Sequence, residues 1–188
     1  MSSLTVLLTG GAGFVGSAIS RALAEQHPDW QLTILDVKPV HLWPSPQPST
    51  KYMQVDIRDA EQVLQAVQHV APQALIHTAS IVPLMDTRYD RRAWNSVYEM
   101  NVNGTRNNLA ADKACGVQAF VYTSSYTVVT DDVAHDYPNM NEEVPIPRKS
   151  LIYGESKVQL IQIPREDCQL RFRRRQPKRW YSKQTVVA

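Results

Sequence analysis

The sequence predicts a doubly wound α/β fold built on a parallel sheet, and three observations carry that prediction. Short β-branched, apolar runs alternate with stretches of helical periodicity from Thr5 to Lys157. A glycine-rich turn, Thr9-Gly10-Gly11-Ala12-Gly13-Phe14-Val15-Gly16, joins the first such run directly to the first helical stretch. Far downstream, Tyr153-Gly154-Glu155-Ser156-Lys157 sets a tyrosine and a lysine four residues apart, on one face of a helix.

Taken in order, Thr5–Thr9 reads as a strand. Ala18, Ile19, Ala22 and Leu23 then recur at helical spacing, and Gln31–Asp36 returns to a strand pattern, which completes a βαβ unit. The Pro-rich stretch 39–48 is expected to lack regular structure and to cross the surface to a third strand at 51–55. Asp59 is the expected N-cap of a helix running through His69, followed by a buried strand at 74–78. A long helix is expected over 93–115, stopped by Gly116, and a fifth strand over 118–123. Residues 131–150 form a polar loop, and a last helix carries Tyr153 and Lys157 before Pro164 disfavours its continuation. In the strand order 3-2-1-4-5 the fifth strand would be an apolar edge unless another chain or a further segment covers it.

A chain of 188 residues can bury one sizeable core, and the boundary is expected near Pro164: a nucleotide-binding domain over 1–163 and a basic tail over 164–188. The net charge of +2 conceals the division, because residues 1–164 hold 12 Lys/Arg against 16 Asp/Glu while 165–188 hold 8 against 2. The tail is read as a disordered, solvated end; a nuclear address, a nucleic-acid arm or an acidic-membrane contact is the alternative that a basic run offers, and no nucleic-acid partner is expected. Cys115 and Cys168 form no CxxC pair, which suits a reducing compartment. No apolar run approaches the ~20 residues of a membrane span, and the start of the chain lacks the pattern of a signal peptide. A cytoplasmic location, without membrane association, is the expectation, and no metal site is expected.

Gly10, Gly13 and Gly16 follow the first strand and open the first helix, which is the context that gives a glycine pattern meaning. Gly10 permits the tight turn, Gly13 lets backbone approach a pyrophosphate, and Gly16 allows close packing of helix on sheet, while the helix N-terminus supplies N–H donors. Asp36 lies at the end of the second strand, where a carboxylate accepts both ribose hydroxyls of an adenosine and repels a 2′-phosphate; this favours NAD, with Lys38 the nearby cation able to soften the clash. Asp56, at the end of the third strand, is placed either to meet the adenine amino group or to cap the next helix.

Tyr153 and Lys157 can cooperate on one reacting group. A free phenol with a pKa of ~10 is a poor base, but an adjacent ammonium is expected to lower that value, so that Tyr153 takes a proton from an alcohol as hydride leaves for a nicotinamide. Ser124 and Ser125 close the fifth strand, where a hydroxyl either holds the substrate oxygen or satisfies strand-end backbone groups.

With those residues in view, the chain resembles an extended short-chain dehydrogenase/reductase of the 3β-hydroxysteroid dehydrogenase/isomerase family. The stretches that carry the resemblance are Thr9 to Gly16, His77-Thr78-Ala79-Ser80, Met100-Asn101-Val102-Asn103-Gly104-Thr105, Phe120-Val121-Tyr122-Thr123-Ser124-Ser125, and Tyr153 to Lys157, within about residues 4–158. The resemblance implies a Rossmann-like domain with NAD as cofactor, held by Gly10, Gly13, Phe14, Val15, Gly16, Asp36, Asp56, Ile57, His77, Thr78 and Ala79, with Lys157 on the nicotinamide ribose. It places Ser125, Tyr153 and Lys157 in the catalytic triad, Ser124 being the second choice, and Asn101 on the central helix, either near the chemistry or as a buried, backbone-bonded side chain.

The implied activity is NAD-dependent oxidation of a 3β-hydroxy group of a steroid or sterol to the ketone. A flavonol-type ketone reductase or a nucleotide-sugar epimerase shares every named residue. Family members continue the last helix, add a further strand and build a substrate region, and the run from Ile163-Pro164-Arg165-Glu166-Asp167 onward fits no such pattern. The carboxyl-terminal strands and substrate region are therefore expected to be missing, as from a changed reading frame, a retained intron or a fragment. On that expectation a truncated, inactive NAD-binding fragment is the alternative, with a weakened homodimer, since family dimers use the helices beginning near Ala93 and Leu151.

Overall fold

The computed structural model describes residues 3–42, 50–83, 87, 89–130, 136, 138, 151–161, 171–172 and 185–187. Strands β1 (Thr5–Thr9), β2 (Gln31–Asp36), β3 (Thr50–Gln54), β4 (Ala74–His77) and β5 (Ala119–Thr123) alternate with helices α1 (Phe14–Gln26), α2 (Ala60–Val70), α3 (Trp94–Val97), α4 (Gly104–Cys115) and α5 (Ile152–Ile161). The five strands pair in parallel in the order β3-β2-β1-β4-β5, as the alternation predicts.

Period-2 alternation decides which side chains meet which layer. Leu7, Leu35, Leu75, Phe120 and Tyr122 point to one face, where Val63, Ala66 and Val67 of α2, Ala111 of α4 and Leu160 of α5 close over them. Val6, Leu8, Leu32 and Ile34 point to the other, against Ile19 and Leu23 of α1. Both faces of β1 are thus buried, which is why its central residues are apolar without alternation.

Helix boundaries follow local chemistry. Asp59 caps α2 as expected, its Oδ1 accepting from the amides of Glu61 at 3.0 Å and Gln62 at 3.1 Å. Gly116 ends α4 with φ +67°, the left-handed position that a glycine fills without a Cβ penalty.

Two expectations change. The stretch 39–48 is not wholly irregular, since Val40–Leu42 makes one 3₁₀ turn; residues 43–49 lie outside the described part, as does most of the loop 131–150. The long helix over 93–115 is present and uninterrupted after a 3₁₀ turn (Arg91–Ala93), but a π-helical segment (Tyr98–Asn103) lies between α3 and α4. Just after that segment the Thr105 hydroxyl donates to the Asn101 carbonyl at 2.7 Å, so a side chain shares the carbonyl an α-helical amide would take.

Beyond β5 the sheet continues with two short parallel strands, β6 (Arg171–Phe172) and β7 (Thr185–Val187), in the order β5-β7-β6. They come from the segment read as a solvated tail and pair along the edge of β5 that the five-strand reading left open. Strands of two and three residues carry no legible periodicity. No helix among the described residues is long and apolar enough to cross a membrane.

Among the described glycines, the tightest packing is that of α1 on the turn after β1. A Cβ on Gly16 would stand 2.1 Å from the Gly10 carbonyl oxygen, a backbone atom with no freedom to withdraw. Gly16→Ala is expected to lower unfolding stability by about 1–3 kcal/mol, read as a reduced urea midpoint at unchanged m-value.

Candidate active site

The glycine turn, the end of β2 and the residues after β4 form one connected surface. Gly10 adopts φ +73°, and its amide donates to the Leu35 carbonyl at 2.8 Å. A Cβ there would lie 2.6 Å from the Ala79 backbone, so the turn and the segment after β4 touch only because Gly10 has none. Thr78 completes the junction, its amide and hydroxyl both donating to the Thr9 carbonyl.

Gly13 occupies the N-cap position of α1, whose first turn has neither a side-chain cap nor an acidic residue. The amides there and their positive potential are left for an anion. Phe14 and Val15 open this helix with side chains 94% and 51% exposed.

The Asp36 carboxylate braces the turn, accepting from the Ala12 amide through Oδ2 and from the Lys38 amide through Oδ1, both at 3.0 Å. Lys38 returns its ammonium to the Ala12 carbonyl at 3.3 Å. Tyr52 donates its hydroxyl to the Lys38 carbonyl; burial, then the Asp36 charge, push that phenol up to about 12. A carboxylate with two amide partners keeps lone pairs for ribose hydroxyls.

Asp56 is not the helix cap, a role that belongs to Asp59. Its carboxylate is gripped by the Arg58 guanidinium, with the closest contact at 2.6 Å, and this bond holds it below the usual carboxylate range. The Ile57 side chain is buried in the core beside Gly104, and its carbonyl accepts from the Asn107 side-chain amide at 2.9 Å.

His77 is wholly buried at the end of β4, bonded through Nδ1 to the Thr9 hydroxyl at 2.5 Å and through Nε2 to the Thr105 hydroxyl at 2.8 Å. Thr105 spends its one proton on the Asn101 carbonyl, so it accepts from His77, which fixes the Nε2–H tautomer with Nδ1 as acceptor. Burial, then the Lys157 charge, push the imidazole down to about 3. His77 is a neutral strut, and its side chain offers nothing to solvent.

Asn101 resolves to its structural alternative. Its Oδ1 accepts from the Ile81 amide at 2.8 Å, while Nδ2 donates to the Ile81 carbonyl at 2.9 Å and to the Ser156 hydroxyl at 3.0 Å. The segment after β4 is thereby clamped to α5, on which Tyr153 and Lys157 stand.

Lys157 is 1% exposed, and its Nζ donates to the Thr123 carbonyl at 3.0 Å. The ammonium lies 4.7 Å from the Tyr122 ring centre and 5.4 Å from that of Tyr153, and burial pushes it down to about 8. The expectation that this ammonium lowers the Tyr153 phenol is not met. Burial raises the phenol, and the Ser80 hydroxyl beside it offsets only part of that rise. The lysine faces the Thr123 carbonyl and the two ring planes.

Ser125 stands at the carboxyl end of β5, but its Oγ accepts from the Thr127 hydroxyl at 2.9 Å and the Thr127 amide at 3.2 Å, which caps the 3₁₀ turn Tyr126–Val128. Its own proton is still available to a substrate oxygen. Ser124, beside it, is half-buried. Sequence reasoning passed over Tyr122 and Ser156, whose only trace was their place inside the two quoted motifs.

The fold thus carries a glycine turn with open helix amides, the Asp36 carboxylate, the half-buried Tyr153 and the buried Lys157 at the carboxyl ends of the strands. The sequence model of the 3-beta hydroxysteroid dehydrogenase/isomerase family matches residues 7–163. A 3-beta-hydroxysteroid dehydrogenase of Mycolicibacterium neoaurum is 34% identical over 162 residues, covering 81% of this chain and 40% of that protein. The human 3 beta-hydroxysteroid dehydrogenase type 7 is 34% identical, with 76% and 38% covered. The chain spans about 40% of the length of these relatives. Among solved structures, the Thermus thermophilus UDP-glucose 4-epimerase complex with NAD superposes with a TM-score of 0.67 at 28% identity, over 82% of this chain and 47% of that one. The Campylobacter jejuni UDP-Glc/GlcNAc 4-epimerase gives 0.73 at 20% identity, over 88% and 49%, a likeness of fold.

Removing the acceptor from the His77 relay tests it. Thr105→Val leaves the buried Nε2–H without a partner and is expected to cost about 1–3 kcal/mol of unfolding free energy, with His77 still neutral by NMR at pH 6.

Proposed function

The chain belongs to the 3-beta hydroxysteroid dehydrogenase/isomerase family, and from that premise we propose that it is the nucleotide-binding and catalytic portion of an oxidoreductase that uses NAD to oxidise a steroid or sterol 3β-hydroxyl to the ketone. The observation that carries the reading is that α5 sets Lys157 beside the Tyr153 ring and on the carbonyl of Thr123, two residues before Ser125, in a fold whose α1 starts without a side-chain cap. The residues fit the cofactor: Gly13 and the first turn of α1 take the pyrophosphate, Asp36 the adenosine ribose, and Asp56 and the Ile57 backbone the adenine side. NAD, when bound, supplies the hydride acceptor.

The chain's own groups supply the proton path and the orientation. Ser125 donates its remaining hydroxyl proton to the substrate oxygen and holds it toward Tyr153. Tyr153 takes the alcohol proton as the carbinol hydride departs, and Lys157 donates to a ribose hydroxyl from a fixed point beneath. Ile81, Val82 and Tyr126, exposed by 36%, 63% and 70%, follow Ser80 and Ser125 in sequence and give these serines an exposed apolar rim. Such a rim suits a steroid ring system better than a sugar nucleotide. A homodimer through the α3–α4 and α5 faces belongs to the same reading.

A second reading takes the same cofactor residues as a nucleotide-binding unit that turns over no sterol, because the relatives' remaining length is where further substrate contacts would be made. Formation of NADH by the purified chain on a panel of 3β-hydroxysterols separates the two, and a silent panel beside measurable NAD binding favours the second. Tyr153→Phe is expected to reduce turnover by about 10²–10⁴ with little change in NAD affinity. Since burial holds the Tyr153 phenol above its ordinary range, the base form is scarce at neutral pH and grows as pH rises. Oxidation is therefore expected to climb steadily between about pH 6 and pH 9, and ketone reduction to stay level, in initial-rate profiles. Asp36→Ala is expected to weaken NAD by about tenfold or more and to narrow its advantage over NADP in calorimetric titration.

A further inference from the structure

One buried aromatic side chain stands at the centre of the site and has no part in the proton path. Tyr122 is 3% exposed on β5, one residue before the Thr123 carbonyl that receives the Lys157 ammonium. Its ring is the nearer of the two against that ammonium, at 4.7 Å from Nζ compared with 5.4 Å for Tyr153. The His77 ring lies almost parallel to it, with centroids 5.8 Å apart and planes 16° from parallel.

Lys157 therefore faces two phenol rings, a neutral imidazole beyond one of them, and a carbonyl. The three ion pairs among the described residues all lie elsewhere, so none of them supplies it with a carboxylate. A desolvated ammonium in such surroundings is stabilised by the negative face of an aromatic ring. The Tyr122 hydroxyl meanwhile finds no hydrogen-bond partner among the described residues. What the site uses of this residue is its ring face.

We propose that Tyr122 is a positioning residue for Lys157, its ring face holding the buried ammonium charged and fixed over the end of β5, ready for a nucleotide ribose. The ring acts on the ammonium alone and touches no reacting atom. Its consequence for cofactor binding rests on the oxidoreductase reading; its effect on Lys157 does not.

The test replaces Tyr122 by phenylalanine and, through amber suppression, by pentafluorophenylalanine, which keeps the shape and drains the ring face of negative charge. The protonation midpoint of Lys157 is followed by Nζ NMR in the protein without nucleotide, with Lys157→Met assigning the signal. Tyr122→Phe is expected to titrate as the unsubstituted protein does. The fluorinated ring is expected to lower the midpoint by about one pH unit, a tenfold loss of the charged form, and to weaken NAD by a similar factor near pH 8. Equal midpoints for the two rings overturn the proposal, since a residue that only fills volume would not distinguish them. A shift as large in Tyr122→Phe overturns it too, by assigning the effect to the hydroxyl. If the midpoint moves as expected but no variant binds NAD, the Tyr122 assignment stands and the oxidoreductase reading falls.

Discussion

A lysine ammonium sealed inside a protein core is the constraint around which this structure is arranged. An isolated ammonium loses several kcal/mol on leaving water, and Lys157 offsets that loss with one carbonyl, from Thr123, and the faces of Tyr122 and Tyr153. Each partner sits where it does because β5 ends at Thr123 and α5 crosses that end. The lysine's position is thus a property of how one strand and one helix dock. The neighbouring phenol is raised because burial acts on it as well.

Docking of α5 depends in turn on a chain of buried polar groups in which every proton has an assigned acceptor. Thr9 donates to His77, His77 to Thr105, and Thr105 to the Asn101 carbonyl, while the Asn101 side chain ties Ile81 to Ser156. The π-helical turn at Tyr98–Asn103 belongs to this network, because the carbonyl that Thr105 occupies is contested within the helix ladder. The relay spans β1, β4, the central helix and α5, so the strand that leads into the glycine turn and the helix that carries Tyr153 and Lys157 are held by one connected set of bonds. A satisfied network of this kind selects a single arrangement of the elements it joins.

At the nucleotide edge the same outcome is reached by absence of atoms. Gly10 and Gly16 let the turn, the helix and the Ala79 backbone approach within distances that a Cβ would forbid, and Asp36 then pins the turn through two amides. Helix dipole, amide donors and carboxylate are brought together with little freedom left to lose on binding.

Much of this was open to reading in the linear chain. The bounds of β1 and β2, the parallel order of five strands, the Asp59 cap and the Gly116 stop all follow from period, turn chemistry and spacing, which are local in sequence. So does the facing of Tyr153 and Lys157, since a helix puts residues four apart on one side. What the sequence by itself determined, then, is the set of elements and the cast of the site. Tertiary structure alone decided that Asn101 is a clamp between Ile81 and Ser156, and that two short strands extend the sheet past β5. It also decided the sign of the Tyr153 shift. Each of these rests on burial or on contacts between residues distant in the chain, and a side chain's charge state and partner are set by the surfaces that close over it, which no local pattern records.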